Sequence, residues 1–224
     1  MSCKVVVAID GPAGSGKSTI ARLLAQKLGL LYIDTGAMYR AATLKALKLG
    51  VNPTDGKALG EMLENTRIEL GETDGRQWVR LDGDDVTLAI RSPEVGSLVS
   101  VVSGHPEVRS QMTREQRRLA QSGGVVLDGR DIGTHVLPGA DVKFYFTADL
   151  DVRVDRRLKE NHEKGFRTDR ESVKREMIER DRLDSVRKCA PLRVADDAVV
   201  IDTSNLTISE VLSLVEGYMR GRTG

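Results

Sequence analysis

The chain has 224 residues, enough for one core domain with room for an inserted module. Its 34 Lys and Arg against 33 Asp and Glu leave a formal charge of +1, without the basic excess of a duplex-binding protein, and 4% aromatic content leaves few platforms for stacking single-stranded nucleic acid. The N-terminal apolar run is too short for a signal peptide or a membrane span, and Cys3 and Cys189 stand apart from each other and from any His or Cys cluster; the reading is a cytoplasmic protein with no disulfide framework, zinc site, nucleic-acid partner or membrane contact.

Lys4 to Asp10 reads as a buried strand, because Val5, Val6, Val7, Ala8 and Ile9 lack the alternation of a half-exposed one. A glycine-rich turn and a helix from about Ser18 to Leu28 follow, then a strand at Leu30 to Ile33 and a helix from Ala37 to Leu49 that stops at Gly50. Between about Arg67 and Val86, the polar turns Glu72-Thr73-Asp74-Gly75 and Asp82-Gly83 punctuate short apolar segments, which predicts a small antiparallel insert. Helices are expected at Pro93 to Val102 and Glu107 to Gln121, a buried strand at Val125 to Leu127, a loop at Asp128 to Pro138 and a strand at Val142 to Phe146. Two helices between Leu150 and Arg182, broken at Gly165-Phe166, precede a strand at Ala198 to Ile201 and a helix from Ser209 to about Arg220.

Gly11-Pro12-Ala13-Gly14-Ser15-Gly16-Lys17-Ser18 matches GxxxxGK[ST] between an apolar strand and an amphipathic helix, the context this motif requires. The glycines let backbone N–H groups converge on phosphate oxygens and the helix N-terminus adds positive partial charge; Lys17 bridges phosphates, the Ser18 hydroxyl can ligate magnesium, and Thr19 is a candidate for the α-phosphate. A GTPase switch is disfavoured, since no Asp has Gly three residues later and no Asn precedes Lys.

The acceptor side is less explicit. Asp128-Gly129-Arg130-Asp131 lies at a strand's C-terminal end, where ligands of open α/β sheets gather; a salt-bridged polar turn is the plainer alternative, and the phosphate loop upstream tips the reading towards binding. Asp34-Thr35-Gly36 holds the equivalent position on the second strand, with Arg40 one turn into the following helix and suited to a second phosphate. Ser100 and Arg109, taken alone, read as solvated. Arg153, Arg156 and Arg157 share one helical face, and Arg180, Asp184 and Arg187 share another if the helix continues that far. Asp155–Lys159, Glu160–Lys164, Glu171–Arg175 and Glu176–Arg180 are spaced as ordinary solvated pairs. Residues 151 to 193 nonetheless carry 14 Lys and Arg against 10 Asp and Glu, which suggests an arginine-bearing lid of the kind phosphoryl transfer needs to exclude water. His105, His135 and His162 have no metal-ligand spacing.

Ile9-Asp10-Gly11, Asp34-Thr35-Gly36-Ala37-Met38-Tyr39-Arg40, Asp128-Gly129-Arg130-Asp131-Ile132-Gly133-Thr134 and Ala190-Pro191-Leu192 together make the chain resemble the bacterial cytidylate kinases over nearly its full length. The resemblance implies an α/β fold: a parallel-sheet P-loop nucleoside monophosphate kinase core with a small antiparallel β insert (about 62–95) and a helical lid (about 153–182), in a single domain spanning 1–224. It further implies transfer of the γ-phosphoryl group of Mg-ATP to CMP or dCMP. Thr35 falls among the acceptor-binding candidates; Arg40 and Arg130 would hold the acceptor phosphate, Ser100, Arg109 and Asp131 would recognise cytosine, and Arg180, Asp184 and Arg187 would serve sugar and phosphates. Lys17, Asp128 and the lid candidates Arg153, Arg156 and Arg157 are the expected catalytic groups, Ser18 the metal ligand, and a monomer the expected state. Ala13 stands where some relatives carry Ser, and His135 where an aliphatic residue is usual. A kinase acting on UMP, AMP or another small metabolite, and a P-loop regulatory switch, remain the alternatives.

Overall fold

The computed structural model describes residues 5–73 and 76–220. Lys4, Cys3 and the Asp74-Gly75 half of the first insert turn lie outside the described residues. Five parallel strands form the main sheet, β1 (Val6–Asp10), β2 (Leu31–Asp34), β6 (Val125–Gly129), β7 (Val142–Thr147) and β8 (Val199–Asp202), in the order β2-β6-β1-β7-β8. Residues 6–10 of β1 pair with residues 125–129 of β6, and Asp34 of β2 pairs with Asp128 of β6, so the carboxyl ends of the central strands stand side by side.

Both faces of this sheet are covered, which is why its strands read as continuous apolar runs rather than alternating ones. Val5, Val7 and Ile9 pack with Ile20 and Leu24 of α1 (Lys17–Leu28) and with Val211 and Val215 of α8 (Ile208–Arg220). On the other face Ala8, Ile33 and Leu127 meet Met38 of α2 (Thr35–Leu49), Leu59 of α3 (Gly56–Glu64), Val99 of α4 (Pro93–Val102) and Val108 of α5 (Pro106–Ala120). Each such fully buried aliphatic contributes roughly 1.5–3 kcal/mol.

The insert is a three-stranded antiparallel sheet, β3 (Ile68–Thr73), β4 (Arg76–Leu81) and β5 (Asp84–Asp85). Asp82 and Gly83 both take positive φ (53° and 97°) in the two-residue turn between β4 and β5, the conformation that suits a tight hairpin. Its inner face, Val79, Leu81 and Val86, packs on Ala37 and Ala41 of α2 together with Ile90 of a 3-10 turn at Ala89–Arg91.

Beyond shifts of a residue or two at other element ends, the structure departs from the sequence reading in four places. Helix α2 starts at Thr35, because Asp34 caps it by accepting from Ala37 N. Helix α3 falls where no element is expected. The expected loop after β6 contains a π-helical turn at Ile132–Val136. The last two central helices are α6 (Leu150–Glu163) and α7 (Arg170–Val186), so Arg187 lies beyond the helix in extended conformation (φ −60°, ψ 139°) rather than on the Arg180–Asp184 face. None of the described helices is long and apolar enough to cross a membrane.

Candidate active site

The phosphate loop leaves β1 at the centre of the sheet. Gly11 takes φ 143°, and a Cβ there would fall 2.0 Å from the Phe146 carbonyl oxygen; at Gly14 (φ 76°) it would fall 2.9 Å from that of Arg153. Glycine is therefore required for the loop to nest between β7 and α6. Pro12 O accepts from Ser15 Oγ at 3.0 Å and from Lys17 Nζ at 2.6 Å, and Ser15 O accepts from Thr203 Oγ1, which fixes the loop from inside. Burial, then the neighbouring Arg130 guanidinium, push the Lys17 ammonium down to about 7.

Asp128, at the end of β6, faces the start of α1. Its carboxylate accepts from Ser18 Oγ at 2.7 Å and from Tyr32 Oη at 2.9 Å, and burial followed by the adjacent Asp34 push it up to about 6. Burial also works to raise Asp34, yet Arg91, which donates to it at 2.6 Å, holds that carboxyl below its ordinary range. Asp10 is buried and raised to about 6 by that burial, although Ile132 N and Gly133 N donate to its two oxygens at 2.8 Å. Those bonds moor the π-helical turn to the end of β1.

A cavity of about 820 Å³ opens over these strand ends. Ala13, Gly14, Gly16, Lys17, Ser18 and Thr19 line it from the loop, whereas Gly11, Pro12 and Ser15 shape the loop from behind. Eight of the nine acceptor candidates, namely Thr35, Arg40, Arg109, Arg130, Asp131, Arg180, Asp184 and Arg187, line the same cavity, and the ninth, Ser100, bonds Asp184 Oδ1 at 3.2 Å. Far from solvated, Ser100 is 8% exposed and Arg109 1%.

Two carboxylates organise this arm. Asp131 pairs with the Arg109 Nη2 group and, at 3.1 Å, with Arg187, while the Arg109 guanidinium lies 5.4 Å from the centroid of the Tyr39 ring. Asp184 accepts from Arg130 Nε at 2.9 Å and stands 4.0 Å from Arg180. Thr35 Oγ1 donates to Asp128 O at 2.7 Å, and Arg40 enters from α2 with an Nη1 group that is buried and has no hydrogen-bond partner among the described residues. Burial, then the Arg180, Arg91 and Arg157 guanidinium groups, push Arg40 well below its ordinary range. This crowd of facing cations is the electrostatics of a polyanion site.

The three arginines of α6 diverge. Arg153 is buried, donating to the Ala148 and Ala13 carbonyls and pairing with Asp181 of α7 at 2.7 Å. Arg156 bonds the Thr203 carbonyl and hydroxyl at the cavity rim. Arg157 faces the cavity, paired at 3.0 Å with Glu160, which also pairs with Lys164; burial works to raise that carboxyl, but Arg157 and Lys164 bring it down to about 2. The Glu160–Lys164 pair thus belongs to the cavity wall. Arg91, Asp10 and Tyr32 are not among the site candidates read from the sequence; Asp10 ends the first predicted strand and Tyr32 lies in the second, both beside candidate loops, whereas Arg91 has no motif around it.

A phosphate loop on a parallel sheet, an acid beside its Ser, and an arginine-lined cavity over the strand ends define a P-loop small-molecule kinase. The family model for cytidylate kinase matches residues 7–220. A "Cytidylate kinase" from Geobacillus kaustophilus (strain HTA426) is 50% identical over 224 residues, covering 100% of both chains, and one from Geobacillus sp. (strain WCH70) is 49% identical over the same span. Among solved structures, a shikimate kinase from Acinetobacter baumannii in complex with shikimate superimposes with a TM-score of 0.51 at 14% identity, over 99% of this chain and 96% of that one, a likeness of fold. The chain belongs to the cytidylate kinase family and is an ATP-dependent nucleoside monophosphate kinase.

Proposed function

We propose that this cavity transfers the γ-phosphoryl group of Mg-ATP to CMP or dCMP, giving ADP and CDP or dCDP. The observation that carries the reading is the convergence of the phosphate loop and the acceptor candidates on one cavity. ATP phosphates lie along the loop amides, with Lys17 turning from Pro12 O to the β- and γ-phosphates. Ser18 and Asp128 form a hard-oxygen pair that suits magnesium, which when bound neutralises the donor phosphates. Asp128 serves there as a carboxylate, the form that ligates.

Arg40 and Arg130 hold the acceptor phosphate, with Arg180 beside them. Asp131 accepts from the cytosine amino group while Arg109 donates to ring N3 next to it; at those two positions uracil presents an acceptor O4 and a donor N3–H, the reverse pattern. Asp184 and Arg187 take the sugar. Arg157, on the lid helices 153–182, turns from Glu160 to the transferring group, whose charge is spread over three oxygens; Arg156 closes the rim behind the loop, and Arg153 keeps the loop in register. Positioning and charge neutralisation supply the rate, with no covalent nucleophile. The proposal is for a monomer acting in the cytoplasm, where its nucleotides are.

ADP release from Mg-ATP is the test, with CMP, dCMP, UMP, AMP, GMP or no acceptor. Strong stimulation by CMP and dCMP alone is expected. Stimulation by another acceptor overturns the base assignment, and acceptor-independent release overturns the transfer scheme.

A further inference from the structure

We infer that a second cavity, behind the Arg109–Asp131 pair, binds a phosphate-bearing anion and that its occupancy weakens base recognition. The cavity, about 450 Å³, lies between α5, the π-helical turn and the chain just beyond α7. Its wall includes Arg109, Thr113, Arg114, Arg117, His135 and Cys189, and among the described residues no carboxylate belongs to it.

Two independent features point to a ligand. Thr113 Oγ1 and Arg109 Nε are buried without a hydrogen-bond partner among the described residues, in residues 5% and 1% exposed that line this cavity. A buried unsatisfied donor costs about 1–3 kcal/mol, so both are groups that an acceptor anion would satisfy. Arg117, meanwhile, is fixed in place by donating to the His135 and Val136 carbonyls at 2.8 Å, which orients its cation without neutralising it. A tetrahedral anion with several acceptor oxygens suits donors arriving from α5 on one side and His135 on the other.

Arg109 is the wall between the two cavities. Its side chain lines both cavities; its Nη2 pairs with Asp131 and its Nη1 donates to Ser103 O at 3.3 Å, and Nε is the guanidinium nitrogen left to an added acceptor. An anion that draws the same guanidinium competes with Asp131 for it, so the two cavities are coupled and the coupling runs both ways.

Pyrophosphate is the probe, added to protein whose large cavity is saturated with a non-transferable ATP analogue and CMP. Calorimetry should find one further equivalent bound, and alkylation of Cys189, followed in a Cys3→Ser background, should slow at least about 3-fold. Both effects should vanish in Arg114→Ser and in Thr113→Val, variants outside the transfer machinery whose turnover without pyrophosphate stays within twofold of the parent. In steady-state assays, pyrophosphate should raise the KM for CMP to a plateau of about 5-fold or more, in the usual range of allosteric coupling, where competition in the large cavity would raise it without limit. No binding beyond the saturated cavity, or binding unchanged in both variants, overturns the site; binding with an unchanged KM for CMP overturns the coupling. The loss of binding in Arg114→Ser and Thr113→Val, which line only the second cavity, does not depend on CMP being the acceptor, so its failure is distinguishable from failure of the transfer scheme.

Discussion

Asp128 and Lys17 face each other across the phosphate loop with ionisations shifted in opposite directions by the same burial. Asp128 is raised to about 6, and the proposed magnesium contact requires its carboxylate, so kcat/KM for Mg-ATP should fall as pH drops through about 6. The same shift means that the folded state binds a proton more tightly than the unfolded chain between about pH 4 and 6; Asp128 therefore costs stability that grows as pH rises through that window. Asp128→Asn should lower kcat by about 10²-fold or more while raising the unfolding midpoint at pH 8, and equal loss of both would refute a metal-binding role. Lys17, lowered to about 7, is largely neutral in free protein at pH 8, yet phosphate binding favours its charged form. Calorimetry of ATP binding at pH 8 in buffers of different ionisation enthalpy should accordingly register proton uptake. Lys17→Ala should abolish that uptake and cut kcat by at least about 10²-fold, with an unchanged far-UV spectrum. ATP binding without proton uptake in the parent would mean that Lys17 is already charged.

At the level of elements, α6 divides labour that its i, i+3, i+4 arginine pattern presents as one face. Arg153 clips the loop to α7 through Ala13 O and Asp181, whereas Arg157 looks into the cavity. Arg153→Ala leaves Asp181 without its cation and should cost about 3 kcal/mol in a denaturant titration. Arg157→Ala should leave the denaturation midpoint nearly unmoved and lower kcat about 10³-fold, the smallest effect typical of a phosphoryl-clamping arginine. Reversed outcomes would exchange the two roles. The sequence makes most elements legible because their signals are local: unbroken apolar strands, Gly50 at a helix end, Asp82-Gly83 in a hairpin. Helix α3 is hidden because Gly56 and Gly60 lower its propensity; Gly60 is there for close packing, since a Cβ would come within 3.0 Å of Glu107. The π-helical turn is invisible for a different reason. It is held by Asp10, more than a hundred residues away, and has no period of its own. The phosphate loop is written in consecutive residues, but the acceptor arm assembles from α2, α4, α5, the end of β6, α7 and the residue beyond it, so chemistry alone reads Ser100 and Arg109 as surface groups and only the resemblance suggests roles for them. Arg91 could be found only through the fold, which brings the end of the insert against Asp34.

Over the whole molecule, cations are gathered at one end of the sheet although the chain as a whole is nearly neutral. Lys17, Arg40, Arg91, Arg130, Arg157 and Arg180 all line one cavity, and burial together with their mutual repulsion lowers both Arg40 and Arg180, the latter to about 10. Arg40 is the most exposed to this conflict: it is 4% exposed, Arg180 and Arg91 lie beside it, and its Nη1 group has no hydrogen-bond partner among the described residues. Replacing it by a side chain of similar length and no charge removes a desolvation penalty and a set of like-charge contacts, at the expense of the proposed anchor for the acceptor phosphate. Arg40→Met should therefore stabilise the protein alone by roughly 1–3 kcal/mol, the range seen when buried charges give way to apolar groups, and raise the KM for CMP by about 10²-fold. Stabilisation by added CMP, read as the rise in unfolding temperature, should largely disappear in the variant, while stabilisation by ATP should persist because the donor phosphates rest on the loop. In the parent, the CMP-induced rise should shrink as salt is increased, since it measures relief of repulsion among these cations as well as contact. A variant that is less stable than the parent and still binds CMP would show that Arg40 supports α2 rather than the acceptor phosphate.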